Sequence, residues 1–290
     1  MTSPRSSTGA ARAPAAAVLA RHAGSDGIDW EIVDAIASTN TEWLERARRA
    51  APRRPAVLCA RLQTGGRGRR GRAWLGTPGG ALLFSLALPW RRTPAQSAAV
   101  TLACGTAVAT CLAAAVGPIA LKWPNDVLLE DRKLAGLLVE LAEDAGGART
   151  LVVGLGLNLQ IGAAERRAIE QPVADLAERL GRVADEAEQE DWLVRLALAL
   201  LEAARRFEAE GFAPFRAAFE RRCAWLGREV VLHEAAGARR RGILRGVDAQ
   251  GGLRLECEGE IVTIISGEMS LRTHASPMPP AAPAIPGGAP

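Results

Sequence analysis

Two stretches of this sequence hold residue types whose spacing could do chemistry. The first is Gln63-Thr64-Gly65-Gly66-Arg67-Gly68-Arg69-Arg70-Gly71-Arg72-Ala73-Trp74. Its glycines let backbone N–H groups turn inward around an anion. Four arginines between 67 and 72 repel one another unless something negative joins them. The planar guanidinium fork suits phosphate and carboxylate oxygens, and Trp74 could lay a flat apolar lid beside them. The second stretch is Lys122-Trp123-Pro124-Asn125-Asp126, followed by Arg132-Lys133-Leu134-Ala135-Gly136. A lysine that begins an apolar strand can extend its ammonium into a pocket without burying an unpaired charge deeply. Such a mobile point charge suits a phosphate oxygen whose position shifts during reaction. Gly136 permits a ligand to approach the backbone. Asn125 and Asp126 either organise the bend at Pro124 or join the site, and both readings stay open.

Composition sharpens one of these readings. Of 36 Lys and Arg residues in a chain of 290, only Lys122 and Lys133 are lysine, and both lie within twelve residues. With 57 alanines and no tyrosine, the chain has drifted towards Ala, Arg and Gly, so a retained lysine carries more information than any one arginine. The net charge of +4 owes much to Arg5, Arg12 and Arg21, which precede the first acid, Asp26. The charge balance therefore does not argue for nucleic-acid binding by the whole protein. An arginine-loop nucleic-acid module would also need stacking aromatics, and only Trp74 sits beside the arginines. No Gly-Lys-Ser/Thr follows the glycines, which excludes a Walker nucleotide loop. Five cysteines without a Cys-x-x-Cys pair, and three histidines, give no zinc spacing. Free thiols in a cytoplasmic, reducing compartment are expected. The uncharged run 93–121 exceeds the ~18 residues that mark a membrane span. It is Ala/Thr/Gly-rich and broken by Gly117-Pro118, so it reads as a buried helix and then a strand.

The elements that must position these residues follow from pattern and punctuation. Residues 1–27 and 274–290 are low-complexity and read as disordered tails. Between them, 28–224 read as a catalytic domain and 225–273 as a small barrel. A strand Trp30–Ile36 leads to a helix opened by a capping box of Thr39 and Glu42. Strands follow at Val57–Leu62 and at Ala81–Leu88, the latter stopped by Pro89. A helix from Gln96 to Val116 leads to a strand Ile119–Trp123. The turn Glu130-Asp131-Arg132 makes a hairpin of Val127–Leu129 and Leu134–Leu141. A glycine-rich strand spans Thr150–Leu159, and helical patterns occupy 173–180, 189–209 and 212–223. Short strands at 229–233, 240–247, 252–257 and 260–265, with turns such as Gln250-Gly251-Gly252, suit a small barrel. The fold class is α+β: a mixed sheet flanked by helices, with a C-terminal barrel.

In order along the chain, Ser38-Thr39-Asn40, the Gly66–Arg72 run, Lys122–Asp126, Arg132–Gly136 and Gly154-Leu155-Gly156-Leu157-Asn158 resemble the motifs of the biotin protein ligase family. The ending Gly267–Arg272 is similar to that family's SH3-like C-terminal domain, and coverage is about residues 30–273. The resemblance implies a synthetase-like fold that activates biotin with ATP and Mg²⁺ to biotinyl-5′-AMP. The biotinyl group would then pass to a lysine on the biotin carboxyl-carrier domain of a carboxylase. It implies that Ser38, Thr39, Asn40 and Gln63 hold the biotin ring and chain. Arg67 and Arg69 would hold carboxylate and phosphates, with Gly66, Gly68 and Gly136 lining the cleft. Lys133 would stabilise charge at the α-phosphate, Trp74 would order the loop, and Asn158 would support the nucleotide end. Lys133 and Arg69 are the catalytic candidates. Asp126 would guide or deprotonate the incoming lysine. No nucleophilic side chain is needed, because the adenylate is already activated. The short segment before the first strand does not suit the DNA-binding domain some members carry, and the expected state is monomer or homodimer. A lipoate–protein ligase, which shares the fold and the adenylate chemistry, is the alternative enzyme.

Overall fold

The computed structural model describes residues 27–271 except Leu75, residues 234–238 and Ser266. The segments read as tails therefore lie, apart from Gly27, outside the described residues.

Seven strands form the main sheet: β1 (Asp29–Ile36), β2 (Ala56–Gln63), β3 (Ala81–Trp90), β4 (Ala120–Lys122), β5 (Asp126–Leu129), β6 (Arg132–Glu143) and β7 (Arg149–Asn158). Their spatial order is β1-β2-β3-β7-β6-β5-β4. Only β1 and β2 run parallel, linked by helix α1 (Thr39–Arg49); the remaining pairs are antiparallel. The sheet is mixed, as the order of elements led us to expect.

Side-chain alternation assigns the two faces of this sheet to different tasks. Phe84, Leu137 and Leu155 lie in one cross-strand row and point into the main core. There they meet α2 (Val100–Val116) and α5 (Glu186–Glu210), through residues such as Leu112, Leu200 and Phe207. On the opposite face, Trp43, Leu44 and Ala47 of α1 cover Leu58, Ala87, Ala142 and Val152 in a smaller apolar cluster. That helix covers only part of its face, and the uncovered remainder is the floor of a cleft.

Several local features depart from the sequence pattern. The cap of α1 is Ser38, whose Oγ accepts from Thr41 N, while Glu42 pairs with Arg46 at 2.7 Å. Thr39 is already helical and its hydroxyl is engaged elsewhere, so the expected Thr39–Glu42 capping box does not form. Strand β3 runs through Pro89 to Trp90, beyond the expected stop. Pairing with β2 ends at Ala87, so the donor that proline lacks falls where β3 has β7 alone as a neighbour. Helix α5 starts at Glu186, three residues early, because Asp185 and Glu188 form a reciprocal capping box. Short helices α3 (Ala163–Ala168) and α4 (Leu176–Leu180) precede it, and α6 (Ala213–Arg222) follows. The uncharged run forms the helix and the following strand it was read to form, α2 and β4. The stretch 95–116 is long and apolar enough to cross a membrane, yet its α2 portion packs inside the core.

The C-terminal strands are β8 (Glu229–His233), β9 (Arg239–Val247), β10 (Leu253–Cys257), β11 (Glu260–Ile264) and β12 (Glu268–Leu271), in the order β11-β10-β9-β8-β12. Strand β12, absent from the sequence reading, pairs antiparallel with β8. This small antiparallel sheet is tied to the main one at the cleft end. Trp123 Nε1 donates to Gly251 O at 3.0 Å, and Trp225 Nε1 donates to Asp131 Oδ1 at 3.0 Å. Gly251 has φ +79°, and a β-carbon there would approach Ala99 Cβ to 2.5 Å, so only glycine lets the turn seat against the start of α2.

Candidate active site

The cleft floor is built from backbone. One cross-strand row runs Lys122, Asp126, Gly136, Gly156 and Leu83, and the next row on the same face includes Leu138, Gly154 and Ser85. Three glycines thus remove side chains where large groups lie on the sheet. A β-carbon at Gly156 would come within 2.5 Å of the Trp74 ring, and one at Gly136 within 3.0 Å of both Trp74 and Lys133. A β-carbon at Gly154 would collide with Asn40 Oδ1. Over this floor opens a cavity of about 590 Å³.

The arginine loop closes on itself above the cavity. Trp74 N donates to Gly66 O at 2.8 Å, Gly68 N to Arg72 O at 2.7 Å, and a 3₁₀ turn spans Arg69–Gly71. Gly66 is buried and does not line the cavity; a β-carbon there would lie 2.7 Å from Trp74 O. It secures the base of the loop. Every other residue singled out from the sequence lines the cavity: Ser38, Thr39, Asn40, Gln63, Arg67, Gly68, Arg69, Trp74, Lys133, Gly136 and Asn158.

At one end the polar groups form a continuous network. Gln63 Oε1 accepts from Thr39 N at 2.6 Å, and the Thr39 and Ser85 hydroxyls are 2.7 Å apart. Ser85 Oγ donates to Asn40 Oδ1 at 2.6 Å, and Asn40 Nδ2 donates to Leu138 O and to Glu140 Oε2, each at 3.0 Å. Arg67 donates from Nε to Thr41 Oγ1 at 3.0 Å and from its NH2 group to Glu140 Oε2 at 3.3 Å.

At the other end lie the two lysines. Lys133 Nζ is 2.8 Å from Asp126 Oδ1, and Lys122 Nζ is 3.8 Å from Asp126 Oδ2. One carboxylate thus stands between two ammonium groups, all mostly shielded from water. Lys133 Nζ also sits 5.3 Å from the centroid of the Trp74 ring, near enough for cation–π attraction. The Lys133 backbone is held at both ends: its N–H donates to Pro172 O, and its carbonyl accepts from Ala174 N and from Asn158 Nδ2. Asn158 Nδ2 donates to Ala174 O as well, so its amide hydrogens anchor the lysine's strand. Arg69 reaches towards Asn125 Oδ1 at 3.5 Å, while Asn125 Nδ2 donates to Leu137 O. The cysteines are no part of this chemistry. Burial pushes the Cys59, Cys104 and Cys223 thiols up to about 12.

The sequence reading missed Ser85 and Glu140, which complete the network. Glycines at 154 and 156, two apart on one strand face, were the available signal of a close approach.

The chain that builds this cleft matches known proteins along most of its length. Residues 32–158 match the model of the biotin/lipoate A/B protein ligase family, and residues 226–272 match that of the biotin protein ligase C-terminal domain. The bifunctional ligase/repressor BirA of Escherichia coli is 36% identical over 252 residues, covering 86% of this chain and 75% of BirA. The biotin–[acetyl-CoA-carboxylase] ligase of Paracoccus denitrificans is 35% identical over 221 residues, covering 75% of this chain and 90% of the relative. The chain belongs to the biotin protein ligase family. It is a ligase. A solved structure of the biotin protein ligase from Aquifex aeolicus in complex with biotin and ATP superposes with a TM-score of 0.68 at 29% identity. That match covers 84% of this chain and 98% of the Aquifex chain, so both the mixed sheet and the small C-terminal sheet belong to the family architecture.

Proposed function

We propose that this ligase uses ATP to form biotinyl-5′-AMP and then transfers the biotinyl group to one lysine of the biotin carboxyl-carrier domain of a carboxylase. The observation that carries the reading is the meeting, in one cavity, of a shielded ammonium at Lys133 with a glycine floor and an arginine-bearing loop above it.

In the first step a biotin carboxylate oxygen attacks the α-phosphorus of ATP and pyrophosphate leaves. Two anions must approach, so charge neutralisation dominates. Lys133 rests on Asp126 at 2.8 Å, and moving to an α-phosphate oxygen exchanges one anionic partner for another. Lys122 keeps Asp126 balanced when Lys133 leaves. Arg67 and Arg69 face the carboxylate and phosphates. The Ser38, Thr39, Asn40 and Gln63 corner takes the ring and chain, which need hydrogen bonds rather than charge. Gly68 and Gly136 allow close approach, Trp74 excludes water from the intermediate, and Asn158 holds Lys133 in place. In the second step the carrier lysine's amine attacks the mixed-anhydride carbonyl and AMP departs, without a protein nucleophile. Mg²⁺ would neutralise phosphate charge when bound. Among the described residues there is no group of three carboxylate, histidine or cysteine ligands, and Asp126 is shared by two lysines. The ion is therefore expected to arrive on the phosphates with its waters. Neither nucleic acid nor membrane enters this reaction, which we place in the cytoplasm.

Incubation with biotin, MgATP and a carrier domain should add one biotinyl mass to one carrier lysine. Adenylation of lipoate in place of biotin would overturn the assignment. Lys133→Ala should slow adenylate formation by about 10²–10³-fold with an unchanged melting temperature. Near-normal adenylation by that variant would refute the role given to Lys133.

A further inference from the structure

Glu140 stands on β6, two residues from Leu138 and four from Gly136, so its side chain shares their cleft face. No sequence motif includes it. Its Oε2 accepts from two cavity residues on separate elements: Asn40 at the start of α1, and Arg67 in the arginine loop. We infer that Glu140 is a positioning residue for the ligase reaction, setting the direction of the hydrogen-bond chain at the ring-binding corner and latching the loop over it. The inference rests on the function proposed above.

The direction follows from counting protons. An ionised carboxylate and a backbone carbonyl can only accept, so Glu140 and Leu138 O together oblige Asn40 to present its NH₂ group towards β6. Both hydrogens of that group are then used, on Glu140 Oε2 and Leu138 O. Asn40 Oδ1 must face the other way, and it accepts from Ser85 Oγ at 2.6 Å. The Ser85 hydroxyl has spent its only hydrogen, so the Thr39 hydrogen goes to Ser85 Oγ at 2.7 Å, with Gln63 Oε1 as a second acceptor at 3.3 Å. Thr39 Oγ1 is left with lone pairs alone, in the wall of the cavity. The carboxylate and Leu138 O thus make Thr39 an acceptor, three bonds away. A ring that presents N–H groups, as the biotin ureido does, meets an acceptor there without any reorganisation. Without the charge, Leu138 O alone holds the Asn40 amide, and the chain is less firmly oriented.

The same oxygen holds Arg67, whose Nε is bonded to Thr41 Oγ1 one helical residue beyond Asn40. Loop position and corner polarity therefore share one anchor.

The test compares Glu140→Gln, Ser85→Ala and wild type for biotin KM, for kcat of adenylate formation, and for release of biotinyl-5′-AMP from the enzyme. Glutamine can donate as well as accept and carries no charge for Arg67. Glu140→Gln should raise biotin KM about tenfold and speed release of the intermediate, with kcat nearly unchanged because the Lys133–Asp126 end is untouched. Ser85→Ala cuts the chain but leaves the latch, so KM should rise without faster release. Adding Glu140→Gln to Arg67→Ala should speed release no further than Arg67→Ala alone, because the latch is already gone. An unchanged KM and release rate in Glu140→Gln would overturn the inference, as would equal losses of kcat and kcat/KM accompanied by a lower melting temperature. Wild-type enzyme that forms no adenylate would instead sink the proposed function and this inference with it.

Discussion

The two faces of one seven-stranded sheet solve opposite problems with alternate residues of the same strands. On β7, Leu155 is buried in the main core, while Gly154 and Gly156 on either side of it carry nothing. On β3, Phe84 points into the core and Ser85 joins the polar corner. The core face is held by apolar volume, and each side chain there answers to its neighbours' shape. The cleft face is held by hydrogen-bond direction and by the absence of β-carbons, so that Trp74 and Asn40 can lie directly on backbone. Stability and chemistry are thus divided by strand parity, and adjacent substitutions should separate them.

Leu155→Ala is the largest expected effect on the core side. It should cost about 2–5 kcal/mol of stability, read as a lower urea midpoint, while the surviving folded enzyme keeps its biotin KM. Gly156→Ala, one residue on, should cost less, about 1–3 kcal/mol from overpacking. Its new β-carbon displaces Trp74, however, and release of the adenylate should quicken about tenfold. Measuring both midpoints and both release rates breaks the comparison if the two variants lose stability and retention in the same proportion.

What the sequence made legible was the chemistry carried by rare or punctuating residues. Lys133 stood out because almost every other basic residue is arginine, and the loop at 66–72 because glycines space its arginines. The strands and the mixed sheet followed from apolar runs bounded by turns. Contacts far apart in sequence were hidden. Ser85 sits inside Leu-Leu-Phe-Ser-Leu-Ala-Leu, a run that reads as buried on both faces, so nothing marks its face as the cleft. Glu140 looks like a surface acid at the end of a strand until Asn40, 100 residues earlier, is brought to it. The choice between Ser38 and Thr39 as helix cap likewise depends on Ser85 and Gln63 engaging the threonine. Strand β12 spans only four residues and owes its pairing to β8.

The core face holds a charged exception, and it supplies the smallest expected effect. Glu190 of α5 is only 6% exposed, and neither carboxylate oxygen has a hydrogen-bond partner among the described residues. It lines a hollow of about 200 Å³ beneath β2 and β3, with Cys59, Arg61 and Glu186. Arg61 is occupied by Glu186 at 2.6 Å and lies 3.7 Å from Asp34. Burial raises the Glu190 carboxyl above its ordinary value of 4.5, the negative charge of Glu186 raises it further, and Arg61 opposes them. The Cys59 thiol, pushed up to about 12, stays neutral at ordinary pH. The sign then follows. Between 4.5 and the higher folded value, the unfolded chain gives up its proton first, so stability falls as pH rises through that window and then levels off. Glu190→Gln keeps the neutral shape and removes the fall. Melting temperatures of variant and wild type should agree below 4.5 and diverge as pH rises, with the variant melting higher near neutrality. Its biotin KM should not move, because Glu190 lies on the far side of the sheet from Thr39 and Lys133. A variant whose melting temperature tracks wild type at every pH would show that this carboxylate finds a partner in solution.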